Sequence, residues 1–405
     1  MTTFTRFLAL GQAASTCGLA SVPSARAQNA LPRERNTVIG RPQVVARFYG
    51  PMLTGVTVSH RGRIFINFPR WGDKVPFTVA EVRNGRAVAF PNRQVNFFAP
   101  DGQRAPLSLN PSARAVQQRL SSFVSVQSVV VDPLDRLWIL DTGSIKLGPV
   151  APGGPKLIGV DLKTNRIFKT IVFPSEVALR TTYLNDIRFD LRRGAGGYAF
   201  ITDSSGVGPN AIIVVDLATG RARRRLNNHP SVRPEPKFVP TVDNEPLYQQ
   251  PKGQKPKFLG LGSDGIAITP TRLFYCPLAS RRLYSASLQA LESGSDEAVR
   301  NSVIDHGTKG ASDGMESDDK GRVYAGNYEK NSIVVREPDG MYRTLVRGPE
   351  ILWPDTLSVA CNGCLYFTVN QLNRQADYHK GVDLRQKPYS ILRVPIGAGP
   401  VLLRP

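Results

Sequence analysis

The sequence predicts an all-β chain folded as a six-bladed β-propeller with four antiparallel strands per blade. Three observations carry this: short runs rich in Val, Ile, Leu, Phe and Tyr between turn signals, a hairpin pattern that recurs six times, and further strand-like runs after the hairpins. Helical periodicity is scarce, and 36 glycines and 32 prolines punctuate the chain.

The recurring hairpin is an apolar strand, a polar turn with Asp or Gly, and a stronger strand. It reads VTVSHRGRIFINF (Val56 to Phe68), SVVVDPLDRLWILD (Ser128 to Asp141), NDIRFDLRRGAGGYAFITD (Asn185 to Asp203) and DGIAITPTRLFYC (Asp264 to Cys276). The last two copies are DGMESDDKGRVYAGN (Asp313 to Asn327) and PDTLSVACNGCLYFTVN (Pro354 to Asn370). The second copy continues into KLIGVDL and RIFKTIVF, the third into AIIVVDL and RARRRL. The fifth continues into SIVVRE and MYRTLV, and the sixth into SILRVPI and PVLL. Radial repetition of such units leaves only short, protected edges, whereas a β-sandwich followed by a second β domain has no place for six similar hairpins. The stretches Asn92 to Phe123 and His229 to Lys257 interrupt the spacing and are expected as loops over one face. An extra apolar run, Val44 to Phe48, is expected to close the ring by pairing with the last blade near Ser390 to Leu403.

The N-terminus has the layout of a secretory signal peptide. Arg6 lies in a short leading region, Phe7 to Val22 is mildly apolar, and Ala25-Arg26-Ala27 supplies a cleavage site before Gln28. Residues 1–27 are therefore expected to be removed and 28–405 to form one propeller domain, secreted or periplasmic. No stretch approaches the roughly 20 apolar residues of a membrane helix.

The 52 basic against 32 acidic residues give a net charge of +20, which favours anionic surfaces, polymers or solutes as partners. Arg221, Arg223, Arg224 and Arg225 would offer such a contact, or belong to a solvated hairpin. Nucleic acid is not expected, because the arginines are scattered and no aromatic platform interleaves with them. No Ser-His-Asp order, phosphate loop or nucleotide fingerprint stands out. Asp141-Thr142-Gly143-Ser144 lacks the second such loop that an aspartic protease dyad needs.

Beyond the leader, three cysteines remain: Cys276, Cys361 and Cys364. Asn362-Gly363 places a tight turn between the last two, so they form either a cross-turn disulfide or inert free thiols. The four histidines show no ligand spacing with them, so zinc is not expected.

In a propeller, the residue that starts each innermost strand points at the central channel near its mouth. Those positions hold Gln127 or Ser128, Asn185 and Asp186, Asp264, Asp313 and Asp355. Converging carboxylates repel unless hydrogen-bonded, protonated or bridged by a hard cation such as Ca²⁺. Two readings stand: a functional pocket for a small-molecule ligand with no obligatory cofactor, or Asp residues that each cap their own turn. Tyr183, Tyr328 and Trp353 are candidates for an aromatic wall.

LWILDTG (Leu137 to Gly143), YLNDIRFD (Tyr183 to Asp190), ITDSSGVGPNAIIVVDLATGRARR (Ile201 to Arg224) and SDGIAITP (Ser263 to Pro270) form an ordered series with PLASRRLY (Pro277 to Tyr284) and WPDTLSV…LYFTVNQLNR (Trp353 to Arg374). The series resembles the yellow/major royal jelly protein family from about Val44 to Arg393. The resemblance implies a six-bladed propeller, secretion, and a ligand pocket at one end of the channel. Insect relatives are associated with biogenic-amine binding or pigment-pathway chemistry, which extends to a quinone tautomerase or isomerase. It also implies ligand contacts for Thr356 and Asn370. A second resemblance, to gluconolactonase-type propellers, would make the chain a metal-dependent lactonase with Asn185 and Asp264 as metal ligands. There the first blade departs, since Val56 follows Gly55 where a glutamate is expected.

Mass spectrometry of protein recovered from the extracytoplasmic fraction is expected to find Gln28 at the N-terminus. Intact Met1 in the cytoplasm would contradict the leader reading.

Overall fold

The computed structural model describes residues 34–35, 38–97, 108 and 110–405; the signal-peptide segment lies outside the described residues. Six antiparallel sheets follow one another along the chain. Blade 1 comprises Val56–Val58, Ile64–Asn67, Val79–Arg83 and Arg86–Ala89. Blade 2 comprises Val126–Val131, Arg136–Thr142, Pro155–Asp161 and Arg166–Val172. Blade 3 comprises Leu184–Asp190, Tyr198–Asp203, Ala211–Asp216 and Ala222–Arg225. Blade 4 comprises Ser263–Ile268, Arg272–Pro277, Arg282–Ser287 and Ile304–Thr308. Blade 5 comprises Ser312–Ser317, Val323–Asn327, Ser332–Arg336 and Tyr342–Arg347, with Glu34–Arg35 added in parallel outside it. Each of the six hairpins read from the sequence is the inner pair of one blade.

The ring closes as expected in kind. Gln43–Phe48 pairs antiparallel with Tyr389–Pro395 and completes blade 6 outside Pro354–Val359 and Cys364–Val369. One detail differs: the run PVLL is not a strand of that blade. Pro400 bridges to Asp318, the Leu191 N–H donates to the Leu403 carbonyl, and Pro400 to Leu402 border a small cavity at the far end of the channel. The N-terminal strand takes the outer position, and the C-terminal run follows the turn at Gly397 away from the blade.

The apolar core is divided among the seams between blades. Phe65 and Val79 of blade 1 pack with Val129 and Ile139 of blade 2. Trp138 and Leu140 pack with Ile187 and Phe189 across the next seam, and Phe200 with Ile266 and Tyr275 across the third. Leu345 and Leu357 join blades 5 and 6, and Phe48, Ile66 and Tyr366 join blade 6 back to blade 1. Cys276 is buried at the seam of blades 4 and 5, its sulfur 3.4 Å from Ser312 Oγ. Cys361 and Cys364 flank the tight turn of blade 6 as free thiols, the first exposed and the second half-buried.

The arginine cluster of blade 3 is divided. Arg224 pairs with Asp203 and Arg225 with Asp296, and the Arg223 guanidinium donates to the Glu292 carbonyl. Arg223 and Arg225 thus tie helices Leu288–Ser293 and Asp296–Asn301 to the blade, while Arg221 and Arg223 stay exposed on the hairpin. Among the described residues no helix is long and apolar enough to cross a membrane.

Removing residues 43–48 would bare the edge of Tyr389–Pro395 and open the seam between blades 6 and 1. Urea melts of that deletion are expected to show a loss of several kcal/mol. Unchanged unfolding would mean the strand does not close the ring.

Candidate functional site

The inner strands of blades 2 to 6 share one irregularity. Each pairs with its neighbour through a register shift near its first residues, at Val126/Ser128, Leu184/Ile187, Ser263/Ile266, Ser312/Met315 and Pro354/Leu357. Such bulges re-aim side chains, and here they turn the residues at the strand starts toward the axis. Close approach needs glycine after the carboxylate in two blades. A Cβ on Gly265 would lie 2.3 Å from the Asp313 carbonyl oxygen, and one on Gly314 would lie 2.1 Å from that of Asp355. That explains the repeated Ser-Asp-Gly of blades 4 and 5. In blade 1 the equivalent position is Gly55, where a Cβ would meet Asn67 Oδ1 at 1.9 Å. Asn67 uses that space to donate to the carbonyls of Val126 and Gln127, which ties blade 1 to blade 2.

At this end of the channel lies a cavity of about 570 Å³. Gln127, Asn185, Asp264, Asp313 and Asp355 form its floor, and Trp71, Tyr183 and Tyr378 form aromatic walls. The Trp71 indole N–H donates to the Tyr183 hydroxyl at 2.7 Å, and that hydroxyl donates to Gln127 Oε1 at 2.9 Å. The rim holds Asp73, Asp383 and Arg385, in which the guanidinium bridges both carboxylates and so latches a blade 6 loop to blade 1.

Three of the residues expected at the ligand lie one layer away. Asp186 accepts from Ser128 Oγ at 2.8 Å and pairs with Arg188 at 3.1 Å. Arg188 also reaches Glu316 and the Met315 carbonyl, so this buried cluster fills the channel beneath the cavity floor. Thr356 and Asn370 do not line the cavity; they hold Asp355, with the Asn370 amide donating to one carboxylate oxygen at 2.6 Å and the Thr356 hydroxyl to the other at 3.3 Å. Tyr328 and Trp353, read as wall residues, are a fully buried stacked pair with ring centroids 4.1 Å apart. The Trp353 indole N–H supports Asp313 from below at 2.7 Å. Trp71 and Tyr378 come from loops outside the repeat, so the repeat pattern had no signal for them.

The floor is electrostatically unusual. Asp264, Asp313 and Asp355 are 5%, 7% and 5% exposed, and none forms an ion pair among the described residues. Burial first, and then the charge of Asp313 and a hydrogen bond between the two carboxyls, hold Asp264 well above the usual carboxylate range. Burial pushes Asp313 to about 6, against hydrogen bonds from Trp353 and Asp264. Burial and the Asp313 charge likewise raise Asp355. Burial and the mutual charge of these carboxyls both favour the protonated form, so the floor tends to hold a proton. Oxygen donors for a hard cation are present in Asn185 and Asp264. However, Asp264 is engaged with Asp313, and Asp313 and Asp355 each give an oxygen to a neutral donor. Among the described residues no three His, Cys, Asp or Glu side chains gather as a metal cage.

A carboxyl whose folded pKa exceeds its unfolded value binds more protons folded than unfolded. Stability therefore falls as pH rises from about 4, the unfolded value, through the folded value of about 6 for Asp313. Asp313→Asn keeps an acceptor for the Trp353 N–H and removes that penalty. Urea melts are expected to find the variant more stable than the parent by roughly 1–3 kcal/mol at pH 8, with no gain near pH 4. A loss equal at both values would refute the assignment.

Residues 124–396 match the family model described as Major royal jelly protein. Major royal jelly protein 7 of Apis mellifera is 29% identical over 196 residues, 46% of this chain and 40% of that protein. Protein yellow of Drosophila pseudoobscura pseudoobscura is 25% identical over 246 residues, 58% of this chain and 40% of that protein. The matches thus span about two fifths of these relatives' own length. In the solved structures, a gluconolactonase from Xanthomonas campestris superposes with a TM-score of 0.50 at 10% identity, covering 88% of this chain and 89% of that one, a likeness of fold. With the family model matched from the start of blade 2 through the last strand of blade 6, the chain belongs to the major royal jelly protein family.

Proposed function

We propose that the chain is an exported propeller that binds a small cationic aromatic solute, of the amine class, in the channel cavity. One observation carries this reading. Three buried carboxyls with no ion-pair partner among the described residues floor an aromatic-walled cavity in a protein of net charge +20. Burial without an ion-pair partner penalises the ionised carboxyls, and an occupant that brings a positive charge relieves that cost. An ammonium group donates to the carboxylates, while Trp71, Tyr183 and Tyr378 offer ring faces to its charge and aromatic body. The family resemblance supports the same class of ligand, and the N-terminal layout supports export.

Calcium is the rival occupant, with Asn185 and Asp264 as its first ligands. Turnover is a further rival, because a stored proton beside an ionised carboxylate can serve as acid and base in lactone hydrolysis or quinone isomerisation. Calorimetry with tyramine and with Ca²⁺, at pH 5 and 8, separates these. Tyramine affinity is expected to rise with pH as Asp313 ionises near 6. Asp264→Asn and Asp355→Asn should each weaken it by about 1–3 kcal/mol, and Asn370→Ala by less because it acts through Asp355. Heat from Ca²⁺ that both Asp variants abolish, with none from tyramine, would assign the site to the metal instead. Lactone or quinone turnover would make the protein an enzyme.

A further inference from the structure

The floor of the channel cavity is not uniform around the axis. Its five polar residues are each the second residue of an inner strand, so they stand at one level. Blades 4, 5 and 6 contribute the carboxyls of Asp264, Asp313 and Asp355, whereas blades 2 and 3 contribute two amides, Gln127 and Asn185. The acid sector accounts for the ammonium of the ligand proposed above. The amide sector has no part in that reading, and its hydrogen bonds are incomplete.

A proton count shows what each amide has left. An indole N–H only donates, so the Tyr183 hydroxyl accepts from Trp71 and gives its own proton to Gln127 Oε1. Gln127 is thereby held with Oε1 against Tyr183, and its Nε2, with no acceptor among the described residues, is left to the cavity that it lines. The Asn185 side chain makes no hydrogen bond at all among the described residues. Both residues are only 7% exposed, yet neither amide is among the polar atoms sealed in protein without a partner. The accessible surface that these amides keep is therefore surface of this cavity.

Amides so placed favour a ligand that completes them over one that leaves them unmet. The completing group must accept from Gln127 and must both accept from and donate to Asn185. A hydroxyl does this. A second ammonium only donates, a carbonyl only accepts, and a carboxylate meets the repulsion of the acid sector. Asn185 and Asp264 occupy equivalent positions in adjacent blades, so the hydroxyl and the ammonium lie side by side at one end of the ligand.

We infer that Gln127 and Asn185 are specificity-determining residues that recognise a hydroxyl, so that the ligand is an aryl amino alcohol with hydroxyl and ammonium on neighbouring carbons and its ring along Trp71 and Tyr183. This rests on the amine reading of the acid sector and adds the chemistry of the other half of the floor. Calorimetry at pH 8 with phenylethanolamine and with phenethylamine, which differ by that one hydroxyl, tests it. Phenylethanolamine is expected to bind the parent chain about tenfold tighter or more. Asn185→Leu should bring the two compounds within about twofold of each other while phenethylamine keeps its affinity. Gln127→Glu keeps the acceptor for Tyr183 and loses the donor, so it should narrow the preference while binding phenethylamine at least as tightly. Retained phenethylamine binding shows that each variant is folded with its acid sector intact. Equal affinities in the parent chain, both weakened by Asp264→Asn, would overturn the hydroxyl recognition and leave the amine reading standing. A preference that survives in both amide variants would overturn it too. Binding of neither compound would sink the amine reading and this inference with it.

Discussion

Everything in this molecule depends on closing a circle of six sheets. Each blade is too small to bury its own apolar faces, so the core exists only as seams shared by neighbours. The last seam forms only when Gln43–Phe48 joins the final blade. Hydrogen bonds reinforce the apolar contacts at these joints, among them Asn67 to the Gln127 carbonyl and Thr368 Oγ1 to the Thr54 carbonyl. A ring fastened at every seam leaves the inner strands no freedom to spread, and that rigidity is what holds side chains together at the axis.

Crowding at the axis then dictates the electrostatics. Below the floor, Arg188 neutralises Asp186 and Glu316, and the channel is filled. At the floor, among the described residues, no cation pairs with Asp264, Asp313 or Asp355; Trp353 donates to Asp313, and Asn370 and Thr356 donate to Asp355. The contrast between two adjacent layers, one compensated and one not, coincides with the point where the channel opens into the cavity. Arg385 lies close enough to reach the rim but is engaged by Asp73 and Asp383. That guanidinium is thus spent on fastening the lid rather than on neutralising the floor, and Lys146 is the other cation on the cavity wall.

The loops serve the ring and its mouth together. Val242 and Leu247 of one insertion and Leu372 of the other are buried in the core that joins blades 6 and 1, with Trp71 and Tyr378 packed against it, and these loops also supply most of the aromatic surface over the channel. Strand register is set within the blades, so loop residues at the mouth can differ in chemistry without changing it.

The sequence by itself determined the ring. Hairpin copies such as Asp264 to Cys276 and Asp313 to Asn327 report local strand and turn preferences, which depend on neighbours a few residues apart. The start of each inner strand was legible for the same reason, so Gln127, Asn185, Asp264, Asp313 and Asp355 could be placed at one channel mouth. Which of them remain open to a ligand was decided only in the tertiary structure. The mutual charge of Asp264 and Asp313, the support of Asp355 by Asn370, and the bond from Trp353 to Asp313 all join residues from different elements, most of them far apart in the chain. Likewise, PVLL and Val44 to Phe48 are both apolar runs, and nothing local says which becomes the outer strand. That choice rests on which run reaches the edge of Tyr389–Pro395 once the circle is complete, a distance the linear order of residues does not contain.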